Sequence, residues 1–187
     1  MASLVRLGNT LGTAGIALVL LAAFAAQFVL HELPCPLCQL QRLAFAMCGF
    51  CFLLNLRFGS QPLHYGAALF AALFGAMAAG RQILLHIAPG TGSYGSPLLG
   101  LHYYTWSFLL FVAVIAAVAV LLILSGRGQS ERDRLDMRSA ASFSGAARLA
   151  AYLLIGVTLA NVVNSFVQCG FAECSADPTG YWLLQRF

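Results

Sequence analysis

Apolar residues along this chain fall in long, almost unbroken blocks rather than in alternating strands or one-faced helical stripes. A segment crossing about 30 Å of hydrocarbon needs roughly 20 mostly apolar residues. It must also be helical, because only a ladder within the segment satisfies its own backbone there. Five blocks meet that length, at about 8–30, 37–56, 63–86, 102–124 and 149–167. No charge lies between Arg6 and His31, and Ile16 to Phe24 is almost wholly aliphatic. That block is long for the apolar region of a signal peptide, and further blocks follow it. Arg42 interrupts the second block and Arg81 sits near the far end of the third. Between the third and fourth, Ala88 to Pro97 is rich in Gly, Pro and Ser, which is loop chemistry. The pattern predicts an all-α integral membrane protein with five transmembrane helices in one membrane domain over 1–187. Residues 168–187 are too short to cross. Their Tyr181, Trp182, Leu183, Leu184 and Phe187 suit a periplasmic or interfacial tail at headgroup level.

Composition agrees. Hydrophobic residues make up 60% and charged residues 9%, against about 25% charged in soluble domains. A water-soluble enzyme or a disordered tail is excluded. No compact basic patch with interleaved aromatics is present, so the partner surface is membrane lipid and not nucleic acid. Every basic residue is Arg. Under five spans, Arg6, Arg57, Arg127, Arg132, Arg134, Arg138 and Arg148 share one face, while Arg42, Arg81 and Arg186 fall on the other. The positive-inside rule then puts the N-terminus in the cytoplasm and the C-terminus outside.

Cysteine placement carries the chemistry. Cys35 and Cys38 follow the first span, and Cys169 and Cys174 follow the fifth. Both pairs come after an odd number of crossings, so they share one face whatever the absolute orientation. The Arg bias makes it the outer face, which is oxidising in a bacterium. As structural staples, rings this short contribute roughly 2 kcal/mol, less than the approximately 3 of a 15-residue loop. Exposed short disulfides serve better as exchange partners. Pro34 and Pro36 place Cys38 in the first turn of the second span, where the helix N-terminus favours a thiolate. Arg42, four residues on, lies one turn deeper on the same face.

An Arg inside a span is a functional candidate. Snorkelling or a pair with Glu32 is the structural alternative for Arg42, and Arg81 has the same choice between a ligand and Glu32. Cys48 and Cys51 lie about 15 Å further along the helix, near the midplane, where packing is their expected use. His86 and His102 flank the Gly-rich loop within reach of a bound ring, or serve as interfacial groups. His31 and His64 lie at span ends. Asn161 and Asn164 share a face of the fifth span and read as interhelical glue.

At these residues the sequence resembles the DsbB family of bacterial quinone-linked thiol oxidases. Leu33-Pro-Cys-Pro-Leu-Cys-Gln-Leu-Gln-Arg42 is similar to the family's first outer loop, and Gly80-Arg-Gln-Ile-Leu-Leu-His86 to the end of its third span. The likeness covers about Leu4 to Leu124. It implies a four-helix transmembrane bundle, here with a fifth helix, in the bacterial inner membrane. It also implies bound ubiquinone or menaquinone and a thioredoxin-fold dithiol oxidase, DsbA-like, as partner. Cys169–Cys174 would take electrons from that partner and exchange with Cys35–Cys38. Cys38 would then reduce the quinone beside Arg42, with His86 and Arg81 as further quinone contacts and no metal. One departure stands out. Family members usually carry the second pair between spans three and four, whereas here Ile87 to Leu101 is short and has no Cys. Two rivals use the same residues: a Cys₄ zinc site, and a transporter or structural bundle with incidental cysteines. Vitamin K epoxide reductase-like proteins share the quinone and CxxC logic but usually carry the CxxC late in the chain.

Overall fold

The computed structural model describes residues 2–126, 145–171, 173–175 and 178–185. Arg127, Arg132, Arg134, Arg138, Arg186 and Phe187 lie outside them. Five helices follow in order: α1 (Ala2–Val29), α2 (Pro36–Phe58), α3 (Pro62–Leu85), α4 (Tyr103–Gly126) and α5 (Gly145–Cys169). All five are long and apolar enough to cross a membrane, and among the described residues there is no named strand. The all-α transmembrane fold is as expected. α1 and α5 run past their apolar blocks and take in Arg6 and Arg148. A helix of 28 residues is about 42 Å long, more than the hydrocarbon requires.

α1 packs on α2, α2 on α3 and α3 on α4, and a sparser α1–α4 contact closes the ring. α5 lies outside this four-helix ring, against α1 and α2. Small residues permit the close approach. Ala68, Ala71, Ala72, Gly75, Ala78 and Ala79 form the buried face of α3. Phe111 fills the notch at Gly75, where a Cβ would overlap its ring, and stacks on Phe45 with centroids 3.9 Å apart. Without a hydrophobic drive between helices in lipid, such backbone proximity and ring packing supply the association energy. The apolar side chains pointing outward, among them Phe70, Leu63 and Leu84, form the surface that lipid would cover.

Local chemistry sets the breaks that matter for the site. His31 adopts φ 56° and ends α1. Cys35 caps α2 with extended backbone, its sulfur accepting from Cys38 N at 3.2 Å, and Pro36 takes the first helical turn. Beyond α5 the tail doubles back onto the end of that helix. Trp182 N donates to Gln168 O and Leu183 N to Val167 O, both at 3.1 Å. Gly170, at φ 62°, lies under the Trp182 ring, where a Cβ would clash.

Candidate functional site

The sparse α1–α4 contact opens into a cavity of about 400 Å³ at the end of the bundle that carries the disulfides. Val19, Leu20, Ala23 and Ala26 of α1 and Tyr104, Trp106 and Leu110 of α4 give it mainly apolar walls. Cys38, Gln41 and Arg42 of α2 and Gln82 of α3 bring the polar groups. The Gly-rich loop closes the top through Tyr94, Gly95 and Leu98. It is pinned there by Tyr94 Oη donating to Leu33 O, by Ser96 donating from N (2.8 Å) and Oγ to Glu32, and by Trp106 Nε1 donating to Leu98 O (2.9 Å). Glu32 therefore pairs with the loop, which removes the alternative of an ion pair with Arg42 or Arg81.

Cys35 and Cys38 are closed as a disulfide, as are Cys169 and Cys174. Cys38 borders the cavity, while Cys35 is buried behind it. Arg42 reaches its wall one turn deeper. The guanidinium donates to Gln27 Oε1 (2.9 Å), Asn161 Oδ1 (3.0 Å) and Ala23 O (2.8 Å). All three acceptors are neutral. Among the described residues no carboxylate neutralises this cation, which faces a mainly apolar space.

The fifth helix is part of this arrangement. Asn161 and Asn164 do join helices, and they do so at the site: Gln27 Nε2 donates to Asn164 Oδ1 (3.0 Å) and to Tyr181 Oη of the tail (2.9 Å). The two disulfides are joined through their sequence neighbours. Gln168 Nε2 donates to Pro34 O (2.8 Å), and Gln39 Nε2 donates to Gln168 Oε1 (3.2 Å). Parity of crossings placed both pairs on one face, and these contacts bring their flanking residues together.

Not every candidate reaches the cavity. Arg81 is exposed and does not line it. The buried positions Gly75, Ala78, Ala79 and Gln82 define the inward stripe of α3, and Arg81 lies about 100° away on the helical wheel. His86, at the end of α3, does not line it either. It stacks on Tyr104 (5.5 Å between centroids), as does His102 (5.3 Å), so both imidazoles sit next to a lining ring. Cys48 and Cys51 are free and buried, Cys48 against Ala68 O at 3.6 Å. The buried amides carry no charge, yet they belong to the site. Gln27, Gln41, Gln82 and Gln168 are buried, and all stand at the disulfide end. Burying an unpaired amide is costly. Four glutamines near the ends of apolar blocks were therefore a usable signal.

A bundle able to cross a membrane, with one disulfide beside an apolar cavity and a second joined to it, defines a membrane-embedded disulfide protein. Residues 5–93 match the family described as Disulfide bond formation protein DsbB, so the resemblance carried by Leu33–Arg42 holds over that stretch. The match stops short of α4, α5 and Cys169–Cys174. The chain is similar to Disulfide bond formation protein B of Xylella fastidiosa strain Temecula1, with 34% identity over 108 residues, 53% of this chain and 62% of that protein. The same figures hold for the protein of that name from strain 9a5c. The chain thus spans about three-fifths of the length of these curated relatives. No solved structure matches it.

Proposed function

We propose that this protein is a bacterial inner-membrane thiol oxidase. It would accept electrons from a DsbA-like thioredoxin-fold dithiol protein at Cys169–Cys174, relay them to Cys35–Cys38 and deliver them to ubiquinone or menaquinone. The observation that carries this reading is the meeting of Cys38 with Arg42 at one apolar cavity. The residues there fit a quinone: lipid-like walls for the ring and tail, and a guanidinium without an acidic partner at one side. A quinone bound there supplies a two-electron, two-proton acceptor.

The chain's own residues do the remaining work. The second pair, in which Cys174 is half-buried and Cys169 buried, would undergo exchange with the partner thiolate. Its neighbour Gln168, held on Pro34, keeps the two pairs within one polar cluster. Arg42 offers fixed positive charge next to Cys38, and such preorganised charge is worth most where water is excluded. The Gly-rich loop and Tyr94 limit water above the cavity. Both pairs are disulfides, which favours exchange chemistry over a Cys₄ zinc site, since the latter needs four thiolates.

The test is direct. Purified protein given a small dithiol and a short-chain ubiquinone should reduce the quinone, followed by its ultraviolet absorbance, while retaining no zinc. No reduction by the intact protein would overturn the reading. Orientation belongs to the same proposal and is supported by Arg6 and Arg57 at the end opposite the disulfides. Reporter fusions after Phe58 and Gly128 should read cytoplasmic, and one at Phe187 periplasmic. A cytoplasmic reading at Phe187 would remove the second pair from the oxidising face.

A further inference from the structure

Gln82 is buried to 2% exposure on the stripe of α3 that faces the Cys35–Cys38 disulfide. Its Nε2 lies 3.3 Å from Cys35 Sγ and 3.6 Å from Cys38 Sγ. Its Oε1 is taken by Gln41 Nε2 at 2.8 Å, and Gln41 is itself buried. With the oxygen so engaged, the nitrogen of Gln82 is the nearer of the two amide atoms to Cys38 Sγ, the oxygen lying 3.9 Å away. The two sulfurs are served unequally, because Cys35 Sγ also receives Cys38 N. For Cys38 Sγ, the one N–H donor among the described residues is Gln82.

We infer that Gln82, oriented by Gln41, is a positioning residue for thiol–disulfide exchange, holding the Cys38 sulfur and donating to it once the disulfide opens. The inference rests on the redox reading of Cys35–Cys38 given above. An incoming thiolate, supplied by the reduced Cys169–Cys174 pair, bonds to Cys35 Sγ. The Cys35–Cys38 bond breaks, and its electron pair departs on Cys38 Sγ as a thiolate. The Gln82 N–H then changes from a weak contact with a neutral sulfur to a charge-assisted hydrogen bond, which is roughly twice as strong as a neutral one. A neutral amide suits this position. It favours the anion, yet costs far less to bury than a Lys or Arg, and Gln41 satisfies its other end.

The experiment isolates the inner pair in the full chain carrying Cys169→Ser and Cys174→Ser. Its thiol–disulfide equilibrium is read by alkylation and mass shift in glutathione buffers, with no quinone needed. Gln82→Met keeps the length of the side chain and removes the donor. The expected result is an equilibrium about tenfold further toward the disulfide, a potential lower by about 30 mV. Gln41→Met should shift it the same way by a smaller factor, and it carries the test if Gln82→Met does not fold. Arg81→Gln, one residue away but outside the cavity, should leave the equilibrium unchanged. A wild-type equilibrium in a folded Gln82→Met protein, or in Gln41→Met where the first fails to fold, would overturn the inference and leave the redox reading intact. An inner pair that cannot be reduced at all in the parent protein would instead overturn the redox reading.

Discussion

Cys38→Ser is expected to abolish quinone reduction with every donor, protein or small molecule, whereas the Cys169→Ser, Cys174→Ser double variant should lose only the protein donor. The difference follows from position. Cys38 borders the cavity beside Arg42, so under the proposed relay its loss would remove the thiolate that meets the acceptor, and no other cysteine would substitute. Cys35 is buried behind it, and Cys48 and Cys51 lie deeper in α2 among packed side chains. The second pair stands at the end of α5, joined to the first through Gln168 and Pro34. Under the proposed relay, removing it would sever the route from a large partner, yet a small dithiol should still reach the inner pair. Replacing Cys48 and Cys51 together with Ala should cost packing only, on the order of 1–3 kcal/mol, with oxidase activity retained. The assay is quinone absorbance with dithiothreitol against a reduced thioredoxin-fold donor. Equal loss in both cysteine variants would mean the order of the relay is wrong; full activity in both would remove redox chemistry altogether.

How much of this was legible beforehand depends on the kind of signal. Five helices follow from hydrophobic blocks, because lipid leaves the backbone no alternative to the helix, and the structure holds all five. That both pairs stand at one end follows from counting crossings, a topological argument that tolerates errors of several residues at helix ends. That Cys38 and Arg42 share one face of α2 follows from their helical spacing, whereas the cavity they border is made by α1, α4 and the Gly-rich loop and is not written in that spacing. Side-chain partners were a different matter. Glu32 had two intramembrane arginines within apparent reach, and it went instead to Ser96, because the Gly-rich loop folds over the cavity and offers an N–H and an O–H at no cost in buried charge. Arg81 drew attention through its charge, while its neutral neighbour Gln82 holds the inward position. A hundred degrees of helix separate them, and only the packed stripe of α3 tells which faces in. The aromatic composition of the tail suits headgroup level, while the course of its backbone depends on Gly170 at positive φ under Trp182 and on Tyr181 reaching Gln27, contacts between segments that no local pattern encodes.

Arg42→Ala should lower quinone turnover by about 10²- to 10³-fold, the usual loss when one preorganised charge-stabilising donor is removed, while the bundle stays folded. The structural cost is bounded, because the partners left behind are neutral. Gln27 retains Asn164 and Tyr181, and Asn161 retains its own bond to Val157 O at 2.8 Å. No carboxylate is stranded, in contrast to the 3–5 kcal/mol typical of breaking a buried ion pair. Arg42→Lys should recover only part of the rate, since an ammonium cannot reach Gln27, Asn161 and Ala23 with the planar fork that now spans them. The same geometry makes α5 answerable to the test, although it lies beyond the stretch that matches the family. Asn161→Leu leaves the cation in place but takes away one of its three acceptors, so quinone affinity and turnover should fall less than in Arg42→Ala, with the inner-pair potential unchanged. Steady-state quinone kinetics in detergent, paired with thermal unfolding of each variant, separates the two effects. Wild-type kinetics in folded Arg42→Ala would take Arg42 out of the site, and wild-type kinetics in Asn161→Leu alone would reduce α5 to a carrier of the second cysteine pair.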